Sequence, residues 1–312
     1  MHSAIRGDNS MNTVAISTYP VRYGSATVDG VRIFYREVGN RGSPAVVLLH
    51  DFPTSSHMYR NLLPALADGY YVIAPDYPGY GNSGAPDPAT FRYSFDRISA
   101  LINGLLEQKL VYSYAMYVVG YGAPVGWRLA LAHPERISAL MIQNGDAHEE
   151  GLQEFWNPVK KYWADASEEN RRDLLGWMSL ESTMFRYRHG ARNETHISPD
   201  NWAHDQPLLD RPGNAKIQTD LLYDYRNNVL LYPKVQACLR ERQPPTLLIW
   251  GKQDRIYAVA GAHAYKRDLK DLEFHLLDTG HFVLEDPAVE AFTLIRDFLD
   301  RRVQIKPGPG VS

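Results

Sequence analysis

The stretch SYAMYVVGYGAPVGWRLALAHPERI, residues 113–137, changes character half-way along. Up to Val119 it is a β-branched and aromatic run without polar alternation, as in a strand covered on both faces. After a Gly-rich bend the pattern turns helical until His133-Pro134, where proline forbids continuation. A sharp bend between a buried strand and a helix is the form of a nucleophile elbow, which holds one side chain at its tip for attack. At this tip stands Gly120.

Working outward, period and punctuation predict strands at about 22–28, 31–38, 45–50, 71–75, 113–119, 137–143, 245–250 and 273–277, with helical patterns between most of them from residue 55 onward. The first two, joined by Val28-Asp29-Gly30, read as an antiparallel hairpin. The later runs are continuously apolar, which suits parallel strands packed under helices on both sides. The fold class is therefore α/β: a mostly parallel, doubly wound sheet of about eight strands. From about Asp146 to Pro245 the alternation breaks into aromatic-rich helical fragments, and an unstructured loop of that length is improbable in a compact domain. The expected organisation is a disordered segment 1–18, a core of 19–145 and 245–303, a helical cap 146–244 and a flexible tail 304–312. HGARNETHISPDNW, residues 189–202, is the expected irregular loop of the cap.

Composition narrows the function classes. With 312 residues, 44% hydrophobic and 22% charged, the chain can bury a large core. Thirty-three basic against thirty-six acidic residues give a net charge of -3, so neither a nucleic-acid field nor a lipid-binding basic patch is expected. No membrane segment or signal peptide is read from the pattern. The single cysteine, Cys238, forms no intrachain disulfide and reads as helix packing, which fits a cytoplasmic location. The eleven histidines lack paired ligand spacing, so no metal is expected. The glycines of GYGAPVG lack the early βαβ unit of a dinucleotide site, so no cofactor is expected either. The remaining partner is a small organic molecule, and a homodimer is compatible with the sequence.

In parallel sheets functional groups gather where the strands end. The third strand is followed by HDFPTSS, the fourth by DYPGYGNSG, the fifth by GYGAPVG, the strand at 245–250 by GKQD, and the last by DTGHFVLEDP. In this order the five resemble the α/β-hydrolase superfamily, most closely its epoxide hydrolase and haloalkane dehalogenase branch, over about Tyr19 to Arg302. The resemblance implies an acid at Asp254 and a histidine at His281, the acid fixing the imidazole tautomer while the imidazole moves the proton. Read without the resemblance, Asp254 could instead cap a helix starting near Ala258. Asp146 is a second, weaker candidate for orienting His281, and Asp76 is expected to brace its loop. The resemblance also implies an oxyanion hole from the Phe52 and Tyr121 amides. Cap tyrosines that would hydrogen-bond substrate fall at Tyr162, Tyr223 and Tyr225, with Phe155 and Trp156 as pocket walls.

Two positions depart from the family pattern. The branch carries an attacking Asp at the elbow, where this chain has Gly120, and His-Gly-x-Pro after the third strand, where this chain has His50-Asp51-Phe52-Pro53. Gly and Asp have changed places across two neighbouring loops. The first expectation is an enzyme without a covalent nucleophile, in which Asp51 and His281 do acid/base chemistry of cyclase, isomerase or lyase type on a largely apolar small molecule. On that reading Gly120→Ala is tolerated. The alternatives are an epoxide or ester hydrolase that activates water directly, and an inactive ligand-binding module.

Overall fold

The computed structural model describes residues 19–303, so the expected N-terminal segment 1–18 and tail 304–312 lie outside the described residues. Eight strands form one sheet: β1 (Arg22–Val28), β2 (Val31–Val38), β3 (Ala45–Leu49), β4 (Tyr71–Pro75), β5 (Tyr114–Val119), β6 (Ile137–Gln143), β7 (Thr246–Gly251) and β8 (Leu272–Leu277). Their order is β1-β2-β4-β3-β5-β6-β7-β8. The expected hairpin closes through Asp29 and Gly30, both at positive φ, the backbone a two-residue hairpin turn requires. Strand β2 also pairs antiparallel with β4, and every pair from β4 to β8 is parallel.

The continuous apolar runs are explained by two packed faces. Val47, Leu49, Met116, Val118, Leu248 and Trp250 lie in one core. Their strand neighbours Val46, Leu48, Ala115, Tyr117, Val119, Leu247 and Ile249 lie in the other. Successive strand side chains point to opposite faces, so a strand buried on both sides loses polar alternation. Helices α1 (Leu62–Leu66) and α11 (Ala288–Arg302) cover the second face, with Leu62, Leu66, Ile295 and Phe298 in its core. Helices α2 (Phe95–Gln108) and α3 (Gly122–Ala132) cover the first, where Ser94 caps α2 by accepting from the Arg97 N–H.

Every element between β6 and β7 is helical: 3-10 turns, then α4 (Asn157–Ala164), α5 (Glu168–Asp173), α6 (Leu180–Arg188), α7 (Asp200–Leu209), α8 (Asn214–Asp224) and α9 (Arg226–Arg242). Cys238 lies half-buried in α9 as a free thiol. Between α6 and α7 the only regular element is a turn at Glu194–His196, in the segment expected to be irregular. A short helix α10 (Val259–Ala264) follows β7. Among the described residues no helix is long and apolar enough to cross a membrane.

One close approach sets the position of the site. A Cβ at Gly122 would overlap the Leu49 carbonyl, and one at Gly126 would overlap the Val118 side chain. Helix α3 therefore lies directly against the ends of β3 and β5, which brings the loops after those strands together. Gly122→Ala is expected to destabilise the fold by about 2–3 kcal/mol, since the clash is with backbone that cannot turn aside. Chemical denaturation of the variant beside wild type measures this.

Candidate active site

Strand β3 is followed by His50 and Asp51, and both side chains are buried. His50 is fully buried, its Nε2 accepts from the Tyr77 N–H at 3.1 Å, and its Nδ1 is therefore the protonated nitrogen, donating to the Asp51 carbonyl at 2.9 Å. Burial pushes its pKa down to about 3, so it is a neutral staple between the loops after β3 and β4. In the second of those loops Asp76 accepts from the Ser56 and Asn82 N–H groups at 2.8 Å each, the brace expected of it.

Asp51 is 3% exposed and reaches across to the elbow. Its Oδ1 accepts from the Tyr121 N–H at 2.6 Å, and its Oδ2 lies 2.6 Å from His281 Nε2. The other ring nitrogen, Nδ1, lies 2.8 Å from Asp254 Oδ2. Asp254 also accepts from the Asn144 side-chain amide at 2.6 Å and, through Oδ1, from the Ile256 N–H at 2.7 Å. It thus holds a local turn and the imidazole at once, while α10 begins further on, at Val259. Three of the expected residues form one buried row: Asp51, His281, Asp254.

Gly120 completes the arrangement by what it lacks. A Cβ there would fall on the Asp51 carboxyl carbon and both its oxygens, far inside van der Waals contact. Its φ of +48° is also a conformation that L side chains rarely adopt. The expected tolerance of Gly120→Ala is therefore wrong: the methyl and the Asp51 carboxylate claim the same volume.

The row settles its own protonation. A carboxylate only accepts, so an imidazole flanked by two of them is held best with a proton on each nitrogen. Burial lowers the His281 pKa, but Asp254 and Asp51 outweigh it and raise it to about 9. At neutral pH His281 is an imidazolium.

Asp146 does not orient His281. Its carboxylate is buried, with neither oxygen hydrogen-bonded, and burial raises its pKa well above the usual range. The amides expected as an oxyanion hole are not both free either, because the Tyr121 N–H is committed to Asp51. Only the Phe52 amide, on the loop that carries Asp51, is left for that task.

The row opens on a small cavity of about 20 Å³ lined by Asp51, Phe52, Tyr121, Trp156, Trp177, Arg186, Ile256, Tyr257 and His281. Trp156 lines this cavity, fixed by its Nε1–H to the Ile256 carbonyl at 2.7 Å. Phe155 stands one layer behind, its ring centroid 4.7 Å from that of Trp177. Tyr225 backs the wall, its ring against Trp156 and its hydroxyl 3.4 Å from that of Tyr257, which is the tyrosine that lines the cavity. Tyr162 and Tyr223 are not brought to the site. They pack on each other, and Tyr223 faces a separate surface cleft beside Phe91 and Arg226. Helical phase is the reason: neighbours on a helix are 100° apart, so in α4 it is Trp163, not Tyr162, that stacks towards Tyr225.

Arg186, Trp177, Ile256, Tyr257 and Asn144 escaped the sequence reading. Only Asn144 left a signal, an Asn-Gly pair at a strand end. At φ +41° its carbonyl accepts from the Gly120 N–H at 3.1 Å and its Oδ1 from the Gly251 N–H at 3.2 Å, tying together the ends of β5, β6 and β7. Among the described residues no group of three or more His, Cys, Asp or Glu is arranged to hold a metal ion.

With this geometry in place, known proteins give the kinship. The alpha/beta hydrolase fold family matches residues 44–288. The chain belongs to the α/β-hydrolase family. It is 42% identical over 265 residues to an uncharacterised hydrolase of Saccharomyces cerevisiae, covering 84% of this chain and 91% of that one. It is 28% identical over 315 residues to a cis-3-alkyl-4-alkyloxetan-2-one decarboxylase of Shewanella oneidensis, covering 91% of each. Epoxide hydrolase A of Mycobacterium tuberculosis is 39% identical over 113 residues, 36% of this chain and 35% of that one. Among solved structures, a haloalkane dehalogenase of Bradyrhizobium elkani superposes with a TM-score of 0.71 at 23% identity, covering 92% of this chain and 99% of that one. The α/β-hydrolase fold expected from the strand ends is the fold observed.

Two outcomes follow from the site. Gly120→Ala is expected to cost more than about 2 kcal/mol in the wild-type background and about 1 kcal/mol in an Asp51→Gly background, where only the positive φ remains to oppose it. A double-mutant cycle by urea denaturation reads the difference. Because the His281 pKa is raised on folding, its contribution to stability is complete below its unfolded pKa of about 6.5 and is lost as pH rises through about 9. The stability gap between wild type and His281→Gln should close over that window.

Proposed function

We propose that this α/β-hydrolase is an atypical small-molecule enzyme that has no covalent nucleophile at its elbow and works by non-covalent acid/base chemistry. The observation that carries the reading is the Asp51–His281–Asp254 row, with Asp51 filling the space above Gly120. Asp51 is the base, His281 the acid, and Asp254 orients and charges the imidazole. An imidazolium cannot take a proton from water, the step by which a histidine hydrolyses an ester intermediate, but it can deliver one to a developing oxyanion. Asp51, joined to it by one hydrogen bond, accepts a proton from carbon or oxygen of the same substrate. Abstraction and return of a proton in this way serve cyclisation, isomerisation or elimination without a cofactor. The decarboxylase of Shewanella oneidensis, aligned along nearly its whole length, supports chemistry other than hydrolysis on this scaffold. The aromatic wall suits a largely apolar substrate. A cytoplasmic enzyme without nucleic-acid or membrane partners belongs to the same proposal, and a homodimer is compatible with it.

A second reading has its own support. The cavity between Asp51, His281 and the aromatic wall has the volume of about one water molecule, and the relatives include a hydrolase and an epoxide hydrolase. Here the pair would activate water for direct attack on an epoxide or ester. An inactive binding module is the least supported reading, since a pocket that only binds gains nothing from a buried, charged proton relay.

Oxygen-18 water separates the first two. On a panel of epoxides, esters and enolisable carbonyl compounds, the acid/base reading expects turnover with no solvent oxygen in the product. Solvent label in the product would establish direct hydrolysis, and label appearing in the Asp51 peptide would show attack by that carboxylate. Activity is expected to fall as pH rises through about 9, where His281 loses its proton. Asp51→Asn and His281→Gln should each lower kcat by at least about 100-fold. Asp254→Asn should move the alkaline limb to lower pH, because the carboxylate that raises the imidazole pKa is gone.

A further inference from the structure

Arg186 is a buried cation with no acid to hold it. It lies in α6, is 3% exposed, and presents its guanidinium to the cavity. Its Nη1 donates to the Ser182 carbonyl at 3.1 Å and to the Ser182 hydroxyl. Its Nε and Nη2 make no hydrogen bond among the described residues. Around it are rings, not carboxylates: its Cζ is 4.9 Å from the Phe52 centroid, 5.4 Å from Trp177 and 5.9 Å from Phe155. The acids of the site are spent elsewhere, Asp51 on Tyr121 and His281, Asp254 on His281, Asn144 and Ile256.

Burying a guanidinium is unfavourable, and contact with aromatic faces offsets part of it. Burial here pulls its pKa down to about 10, with Asp51 acting against that, so the group is still charged at neutral pH. What it lacks is the planar, two-oxygen partner that its fork matches best.

We infer that Arg186 binds the carboxylate of an anionic substrate, so that the enzyme acts on a small organic acid whose apolar part lies against Trp156, Trp177 and Tyr257 and whose reacting carbon faces Asp51 and His281. The inference rests on the reading of Asp51 and His281 as the reacting pair, and it narrows the substrate from largely apolar to apolar with an acidic head. At about 20 Å³ the cavity is smaller than such an acid, so the helical segment that carries Arg186 and Trp177 has to yield as the acid enters.

Butanoate and its neutral isostere butanamide test it by isothermal titration of the full chain. The expected result is butanoate bound at least about tenfold more tightly than butanamide. Arg186→Gln should level the two, and Arg186→Lys should keep a reduced preference. Near-ultraviolet circular dichroism and a cooperative melt establish that each variant is folded. Should the Gln variant fail to fold, wild type against the Lys variant carries the test, and a Lys variant as selective as wild type counts against a bidentate carboxylate site. Equal binding of the two probes by wild type, a preference that survives in Arg186→Gln, or no butanoate binding at about 50 mM overturns the inference. Turnover plays no part in this readout. Failure of the acid/base pair would appear as activity retained in Asp51→Asn, with the butanoate preference unaffected.

Discussion

The carboxylate of Asp51 and a side chain at residue 120 cannot both exist. The Cα of Gly120 lies so close to Asp51 that an added Cβ would stand little more than a covalent bond length from its carboxyl carbon. Two loops that are distant in sequence are therefore one unit in space, and the identity of either residue dictates the other. The rest of the site follows. The Tyr121 N–H, which an elbow offers to an oxyanion, is drawn to Asp51, and the imidazole of His281 meets a carboxylate on both sides instead of one. From the next loop, Asp51 delivers its acid group to almost the point an elbow aspartate would have reached.

Placing the acid at that point from a different backbone position changes what it can do. Both oxygens of Asp51 accept short hydrogen bonds, and a carboxylate so held is a poorer nucleophile than a free one while remaining a proton acceptor. His281 between two carboxylates is an acid at neutral pH, whereas hydrolysis of an acyl or alkyl ester needs it as a base. On the proposed acid/base reading, the same three residue types run proton transfer in the opposite sense. Their geometry depends on Asn144, whose left-handed backbone and side chain join Gly120, Gly251 and Asp254, and on neutral His50, which fixes the Asp51 carbonyl.

Much of this was legible in the sequence because it rests on local pattern. Strands buried on two faces appear as unbroken apolar runs, so β3 to β7 could be read to within a residue of their ends. The residues just past those ends were readable as a site because a parallel sheet collects them there. What could not be read depends on distance. Nothing in Gly120 alone says that a single methyl would collide with Asp51. Tyr162 and Tyr223 turn to each other while Trp163 stacks towards Tyr225, because helical phase in a short, irregular, aromatic-rich segment is set by packing and not by period. Arg186 sits on α6 among other charged residues, and an arginine there reads as solvated surface until the fold turns it inward.

The overlap also constrains how such a site can be reached from the His-Gly-x-Pro and elbow-Asp arrangement that the family resemblance implies. Adding Asp51 while a side chain still occupies position 120 would force two carboxylates into one volume, with like charges adding to the steric conflict. Removing the elbow side chain first leaves glycine in both loops, which is sterically open and keeps His281 and Asp254 in place. Only then can an aspartate at 51 enter without a clash, drawn by the freed Tyr121 amide and the imidazole.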